Sequence, residues 1–306
     1  MTPTATVFSK PSMQFFLIMA LCLVSTILFS IIAGLAVLFF YQLDLSSIYD
    51  YTNPATIEGL KLFQLISAIG LFIVPPLIYS VITSKNVFKS LSLHQLSKPT
   101  SWLLVTLIMM VASPLMAWVV EVNEQMSLPE FMAPIEQWMK QSELSAQELT
   151  KAFLTFNGVG SLLYILIIVA VVPAIGEELL FRGVLQKIVI NWIHNKHWGI
   201  WITAILFSAL HMQFYGFFPR MLLGVLFGYL LVWSGSLWLP ILGHFINNGS
   251  VVVLSYFYPE MMEAAEINLF GEGSSSWLVI VISALLVAGG VMLFRKLNMQ
   301  GVQAHE

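Results

Sequence analysis

Charge is what this sequence has least of. Asp, Glu, Lys and Arg make up only 9% of its 306 residues, while 58% are hydrophobic. A soluble domain carries about 25% charged residues, so a water-soluble globular class is excluded. The formal net charge is only −3. No basic run is long enough to follow a phosphate backbone, which removes nucleic acid as a partner. Cysteine is nearly absent too. Cys22 is the only one and sits in an apolar run, so disulfides and cysteine-rich zinc sites are excluded. There is no internal repeat and no low-complexity tract.

What remains is a series of long apolar runs. A helix needs about 20 apolar residues to cross the hydrocarbon core of a bilayer. Eight stretches come near that length: Phe15–Tyr41, Leu62–Ile82, Trp102–Val120, Val159–Phe181, Trp198–His211, Met221–Trp233, Leu237–Tyr256 and Trp277–Phe294. The first exceeds the apolar core of a signal peptide and no small-residue cleavage site follows at once, so it is expected to be a retained span. The fifth and sixth are short, with Pro219 between them; tilt, or a position lining a cavity, would accommodate them. The expected fold is all-α, a polytopic membrane protein of about eight transmembrane helices.

Lys and Arg in the loops set orientation. With the N-terminus inside, nine of the thirteen fall on the cytoplasmic side: Lys10, Lys85, Lys89, Lys98, Arg182, Lys187, Lys196, Arg295 and Lys296. Both termini are then cytoplasmic. The outer segments are acidic, one from Glu121 to Glu148 and another from Glu260 to Glu272. The longer outer segment, Glu121 to Asn157, is expected to carry one surface helix around Leu144 to Phe153, where Ser145 and Glu148 resemble a capping box. Three parts follow: 1–158, with three helices and the acidic outer loop; 159–256, a polar-studded core; and 257–306, with an outer loop, the last helix and a cytoplasmic tail.

Ionisable groups inside a bilayer are costly and mark function by default. Glu177, Glu178, Arg182, His211 and His244 are such groups, with the amides Asn247 and Asn248. If Val159 to Ile193 is one helix bent at Pro173, Glu178 and Arg182 are i,i+4 and can pair on one face. Glu177 points about 100° away round the helix, so that pair leaves it facing something else. A structural salt bridge explains Glu178 and Arg182 but not Glu177, because an unpaired buried carboxylate costs several kcal/mol or gives up its charge. Taken singly, His211 reads as a core histidine, Phe207 as packing, and His244 with Asn248 as interhelical hydrogen bonding. Gly224 and Gly228 read as close helix packing. Together, though, three spans supply a base, two imidazoles and an amide, a set that chemistry can use.

The order of these motifs is that of a known family. Glu177-Glu178-Leu-Leu-Phe-Arg182, Phe207-Ser-Ala-Leu-His211 and His244-Phe-Ile-Asn-Asn248 read E-E-x-x-x-R, F-x-x-x-H and H-x-x-x-N. This resembles the CPBP family of intramembrane proteases, also called the CAAX protease and bacteriocin-processing or Abi family, which includes the type II CAAX prenyl endopeptidase. The resemblance covers about Leu162 to Val253. It implies some eight helices around a polar cavity reached from the cytoplasmic side, and peptide-bond hydrolysis in or beside the membrane. Carried over, Glu177 and His211 would activate water, His244 and Asn248 would hold the oxyanion, and Glu178, Arg182 and Phe207 would support them.

Two mechanisms fit these residues. In one, Glu177 is the general base and no cofactor is needed. In the other, Glu177, His211 and His244 bind zinc, as a His₂Glu set with an open position can; no H-E-x-x-H is present to favour it. The first is preferred. The expected partners are a membrane-associated peptide or protein substrate and the lipid bilayer, and the expected location a bacterial plasma membrane. Two other classes use the same residues. A proton- or ion-coupled transporter would place carboxylates and histidines along a pathway; no inverted repeat supports it. A non-catalytic immunity or scaffold protein would keep the motif without using it.

Overall fold

A computed structural model of the chain describes residues 10–43, 50–259 and 277–303, and among them there is no strand. The second acidic segment, Glu260 to Glu272, lies outside the described residues. Helix α1 (Pro11–Tyr41) opens on Pro11, whose fixed φ suits a first turn and whose missing N–H would have been unpaired anyway. Helix α2 (Pro54–Thr83) is capped by Asn53, whose side chain accepts from the Ala55 N–H at 2.9 Å. It widens into a π turn at Ile69–Ile73 just ahead of Pro75 and Pro76, which cannot donate to the carbonyls four residues back. Helices α3 (Pro99–Val111) and α4 (Ser113–Glu124) form one run broken by a 47° bend, with Pro114 just past the break. Then come α5 (Ala133–Phe153), α6 (Val159–Ile193), α7 (Lys196–Ala209), α8 (Phe217–Ser234), α9 (Trp238–Phe257) and α10 (Trp277–Gln303).

All eight expected stretches are helical, but eight crossings do not follow as a count. Five helices among the described residues are long and apolar enough to cross a membrane, six with the bent α3–α4 pair. Helix α7 has 14 residues, about 21 Å at 1.5 Å per residue, short of a 30 Å core. Helix α9 is long enough, but His244, Asn247 and Asn248 lower its hydropathy. A second expectation needs correcting: α5 begins at Ala133 with Pro134 in its first turn, so Ser145 is mid-helix and caps nothing. The residues before Ser145, such as Glu136, Gln137, Met139 and Lys140, are themselves good helix formers, and nothing stops the helix from starting early.

The molecule is apolar outside and buries a polar network between its apolar cores. On α1, Phe16, Leu23, Leu35 and Phe39 are all more than 60% exposed, while Glu178, Arg182 and Gln186 of α6 are at most 1% exposed. That inversion suits a lipid surround. Helix α6 runs through the middle, packed on α2, α7 and α9. One apolar core joins α1 and α6 through Ile18, Phe181, Val184 and Leu237; the other joins α3, α8 and α10 through Ile108, Phe227, Leu230 and Phe294.

Candidate active site

Helix α6 is continuous but not uniform. It contains two π stretches, Leu166–Val171 and Leu179–Leu185, on either side of the two glutamates. Single π turns concentrate at functional sites because they re-aim side chains. The first stretch has a local cause. Pro173 has no N–H to give to the Val169 carbonyl four residues back, and the Asn248 Nδ2–H of α9 donates to that carbonyl at 3.0 Å. Tight approach is built in at Gly176, where a Cβ would stand 2.7 Å from Phe72 Cβ of α2.

Downstream, one face of α6 is tied to α8. Arg182 Nη2 donates to the Gly224 carbonyl at 3.1 Å, and Gln186 Nε2 to the Gly228 carbonyl at 3.2 Å. Two donors spaced i,i+4 thus meet two carbonyls spaced i,i+4. The glycines allow it: a Cβ at Gly228 would stand 2.6 Å from Gln186 Oε1 and 2.7 Å from Ile200 Cγ2. Gln186 extends the stripe of Glu178 and Arg182 by one turn, and that spacing is the signal sequence reading overlooked.

Glu178 is the hub of this buried network. Its Oε1 accepts from Arg182 Nη1 at 2.8 Å and from His244 Nδ1–H at 2.9 Å; its Oε2 has no hydrogen-bond partner. The Arg182 guanidinium lies 4.5 Å from the centroid of Phe207 and 5.6 Å from that of Phe227, so aromatic faces cover the cation. Phe227 also stacks on His244, with centroids 5.7 Å apart and planes 20° apart. Because the Glu178 carboxylate accepts at Nδ1, His244 turns Nε2 the other way, to 3.8 Å from Glu177 Oε2.

Glu177 has a different environment from its neighbour. Its Oε2 makes no hydrogen bond, and the residue lines a cavity of about 320 Å³ with Phe207, His211, His244, Asn247 and Asn248. His211 follows the end of α7, where the Phe207 carbonyl has lost its helical donor. The His211 side chain supplies one: Nδ1–H donates to that carbonyl at 2.9 Å. A carbonyl can only accept, so this bond fixes the tautomer and leaves Nε2 as an unprotonated nitrogen in a cavity-lining residue. Asn248 gives one amide hydrogen to Val169, while its Oδ1 accepts from Asn247 Nδ2 at 3.1 Å; its second amide hydrogen is uncommitted.

The structure therefore brings Glu177, His211, His244, Asn248 and Phe207 to one cavity, and sets Glu178 and Arg182 behind its wall. Among the described residues no three His, Cys, Asp or Glu side chains are spaced to hold a metal ion. His244 and His211 each commit Nδ1 to an oxygen acceptor, which leaves Nε2 of both outside those bonds.

The cavity has two approaches. One rises toward α5, past Gln147, Thr150, Tyr215 and Arg220. At its edge Glu143 is half-buried, with Oε2 unpartnered. Burial pushes the Glu143 carboxyl above the usual carboxylate range; the Arg220 charge and a backbone hydrogen bond from Tyr215 oppose that. The other approach is an apolar recess of about 420 Å³ between α2, α6 and α7, ending on Glu177 and His211. Phe63 and Leu210 at its rim are exposed, so it opens sideways toward lipid.

Comparison with known proteins places the same segment. Residues 159–250 match the family model of the type II CAAX prenyl endopeptidase Rce1-like proteins. A curated relative, the uncharacterized protein YpbD of Bacillus subtilis (strain 168), is 33% identical over 85 residues, which is 26% of this chain and 40% of that protein. The chain thus covers well under half of that relative's length. No solved structure matches the chain.

Proposed function

Starting from the Rce1-like domain that this integral membrane protein carries at residues 159–250, we propose that it is an intramembrane endopeptidase in which Glu177 is the general base. The observation that carries this reading is the contrast between two adjacent carboxylates. Each leaves its Oε2 unpartnered, but Glu178 Oε1 is held by Arg182 and His244, whereas Glu177 has no such bond and lines the cavity. A base must reach the proton it takes, and of the two only Glu177 lines the cavity.

In the proposed reaction, a water stands between Glu177 and His211. His211 Nε2 accepts one of its hydrogens and orients it. Glu177 takes the other proton as the water oxygen bonds to the scissile carbonyl carbon and the carbonyl electron pair moves onto oxygen. The spare amide hydrogen of Asn248 donates to that oxyanion, beside the imidazole of His244; one such donor is worth about 3 kcal/mol. Collapse breaks the C–N bond, and Glu177 returns its proton to the departing amine. The products are one carboxylic acid and one amine, and no metal step is used. Glu178 orients His244, and Arg182 holds Glu178.

The sideways apolar recess supports a substrate that is membrane-associated, either hydrophobic or lipidated. Such a chain can leave its apolar part in the bilayer and bring its backbone to Glu177. The test is an inventory of peptides from membranes holding wild type or Glu177→Ala at matched levels. Short hydrophobic or lipidated fragments found only with the wild type are expected. Identical inventories from two folded proteins would move the function to binding or transport.

A further inference from the structure

The helix ends gather on two faces of the molecule, and these differ in charge. Lys10, Lys85, Lys89, Lys98, Lys187, Lys196, Arg295 and Lys296 belong to one face, with no Asp or Glu among the described residues there. The other carries Lys61, Lys140, Lys151 and Arg220 among Asp50, Glu58, Glu121, Glu124, Glu130, Glu136, Glu143 and Glu148. Contacts keep the faces distinct. On the first, Lys187 Nζ donates to the Ser90 carbonyl at 2.6 Å and Trp238 Nε1 to the Leu93 carbonyl at 3.0 Å. On the second, Asn123 Nδ2 donates to the Phe214 carbonyl at 3.1 Å, and Phe156 meets Tyr256 ring to ring at 5.2 Å.

The mouth of the cavity toward α5 lies on the second, acidic face, since its upper wall is α5 with Glu124, Tyr215 and Arg220. Toward the Lys-rich face the site is plugged. Glu178, Arg182, Gln186, Leu91 and Leu237 are at most 1% exposed, and the Leu237 N–H donates to the Ser92 carbonyl at 3.0 Å across that plug. An excess of Lys and Arg in short loops marks the cytoplasmic side. Cytoplasmic termini and a cavity reached from the cytoplasm, both expected from the sequence, are therefore incompatible.

We infer that the cavity opens away from the cytoplasm, and that its substrates are membrane-inserted segments whose scissile bond lies near the outer leaflet, not cytosolic lipidated tails. This rests on the protease reading for the word substrate, but not for the orientation. Export would deliver such a chain: its hydrophobic part enters between α2 and α7, and its outer end rises beneath α5. The charge asymmetry fixes the direction, and the plug removes the alternative route.

Two single cysteines test the orientation in a Cys22→Ser background: Glu148→Cys on α5 and Lys89→Cys on the Lys-rich face, both at exposed positions. A membrane-impermeant maleimide is applied to spheroplasts, then again after permeabilisation. Glu148→Cys is expected to label before permeabilisation and Lys89→Cys only after it. Any other pattern overturns the inference, including equal labelling of the two. In parallel, a single-span reporter is made with its cleavable tail outside or inside and compared between wild type and Glu177→Gln. Trimming of the outside tail by wild type alone is expected, and trimming of the inside tail overturns the substrate assignment. If neither reporter is trimmed while Glu148→Cys labels from outside, the protease reading fails and the orientation stands.

Discussion

The two faces of α6 differ in how their polar side chains are met. One face carries Glu178, Arg182 and Gln186, each at most 1% exposed and each bonded to α8, α9 or a neighbouring turn. The other carries Glu177, whose Oε2 has no hydrogen-bond partner in a cavity wall. Charge in a membrane is costly on both faces, yet the costs are met differently. On the first face, partners fix the packing of three helices, α6, α8 and α9. On the second, Glu177 lines the cavity with its Oε2 unpartnered. Adjacent residues of one type thus differ in surroundings, Glu178 bonded into the helix packing and Glu177 in the cavity wall.

Breaking the first face should have the largest effect. Arg182→Ala leaves Glu178 buried without its cation, which costs about 3–5 kcal/mol when one partner of a buried pair is removed; thermal unfolding in detergent should show it. Breaking the second face should spare the fold and remove activity. Glu177→Gln is expected to lower turnover by about 10²–10⁴-fold, the usual contribution of a general base, with little change in unfolding temperature. Chelators should leave the wild-type rate unchanged; stoichiometric zinc lost together with activity in His211→Ala would replace this mechanism.

A smaller effect is expected where α6 meets α8. Gly228→Ala forces a methyl against Gln186 and Ile200, and overpacking of this kind costs about 1–3 kcal/mol. Smaller still is the docking of α5. The Glu143 carboxyl is raised by burial, so the docked form holds its proton better than the undocked one. Docking should therefore be strongest at pH below the ordinary glutamate range and weaken as pH rises toward the raised value. Hydrogen exchange of α5 across weakly acidic pH should show this, and Glu143→Gln should flatten it. The smallest effect is reserved for the lipid-facing side of α1. Leu23→Ala should change stability by no more than about 0.5 kcal/mol, as substitutions away from packed features do.

Much of the site was legible in the sequence. The i,i+4 spacing of Glu178 and Arg182 foretold their pairing, and the three motifs named the residues that line the cavity. Local spacing could not foretell bonds between distant segments. The His244 to Glu178 contact joins residues 66 apart, and the Asn248 to Val169 bond joins residues 79 apart. Pro173 hinted at a carbonyl in need of a donor but not at which helix would supply it. The extent of α5 was misjudged because Ser145 and Glu148 imitate a cap inside a longer helix. The count of eight crossings is not confirmed because α7 is short and His244, Asn247 and Asn248 make α9 less apolar.

The central claim is the division of labour between Glu177 and Glu178. It is tested most directly by making Glu177→Gln and Glu178→Gln in parallel and measuring unfolding temperature and membrane fragment production on both. The account predicts that Glu177→Gln unfolds like the wild type and yields no fragments, while Glu178→Gln unfolds at a clearly lower temperature. Fragments persisting in Glu177→Gln at wild-type levels would contradict it.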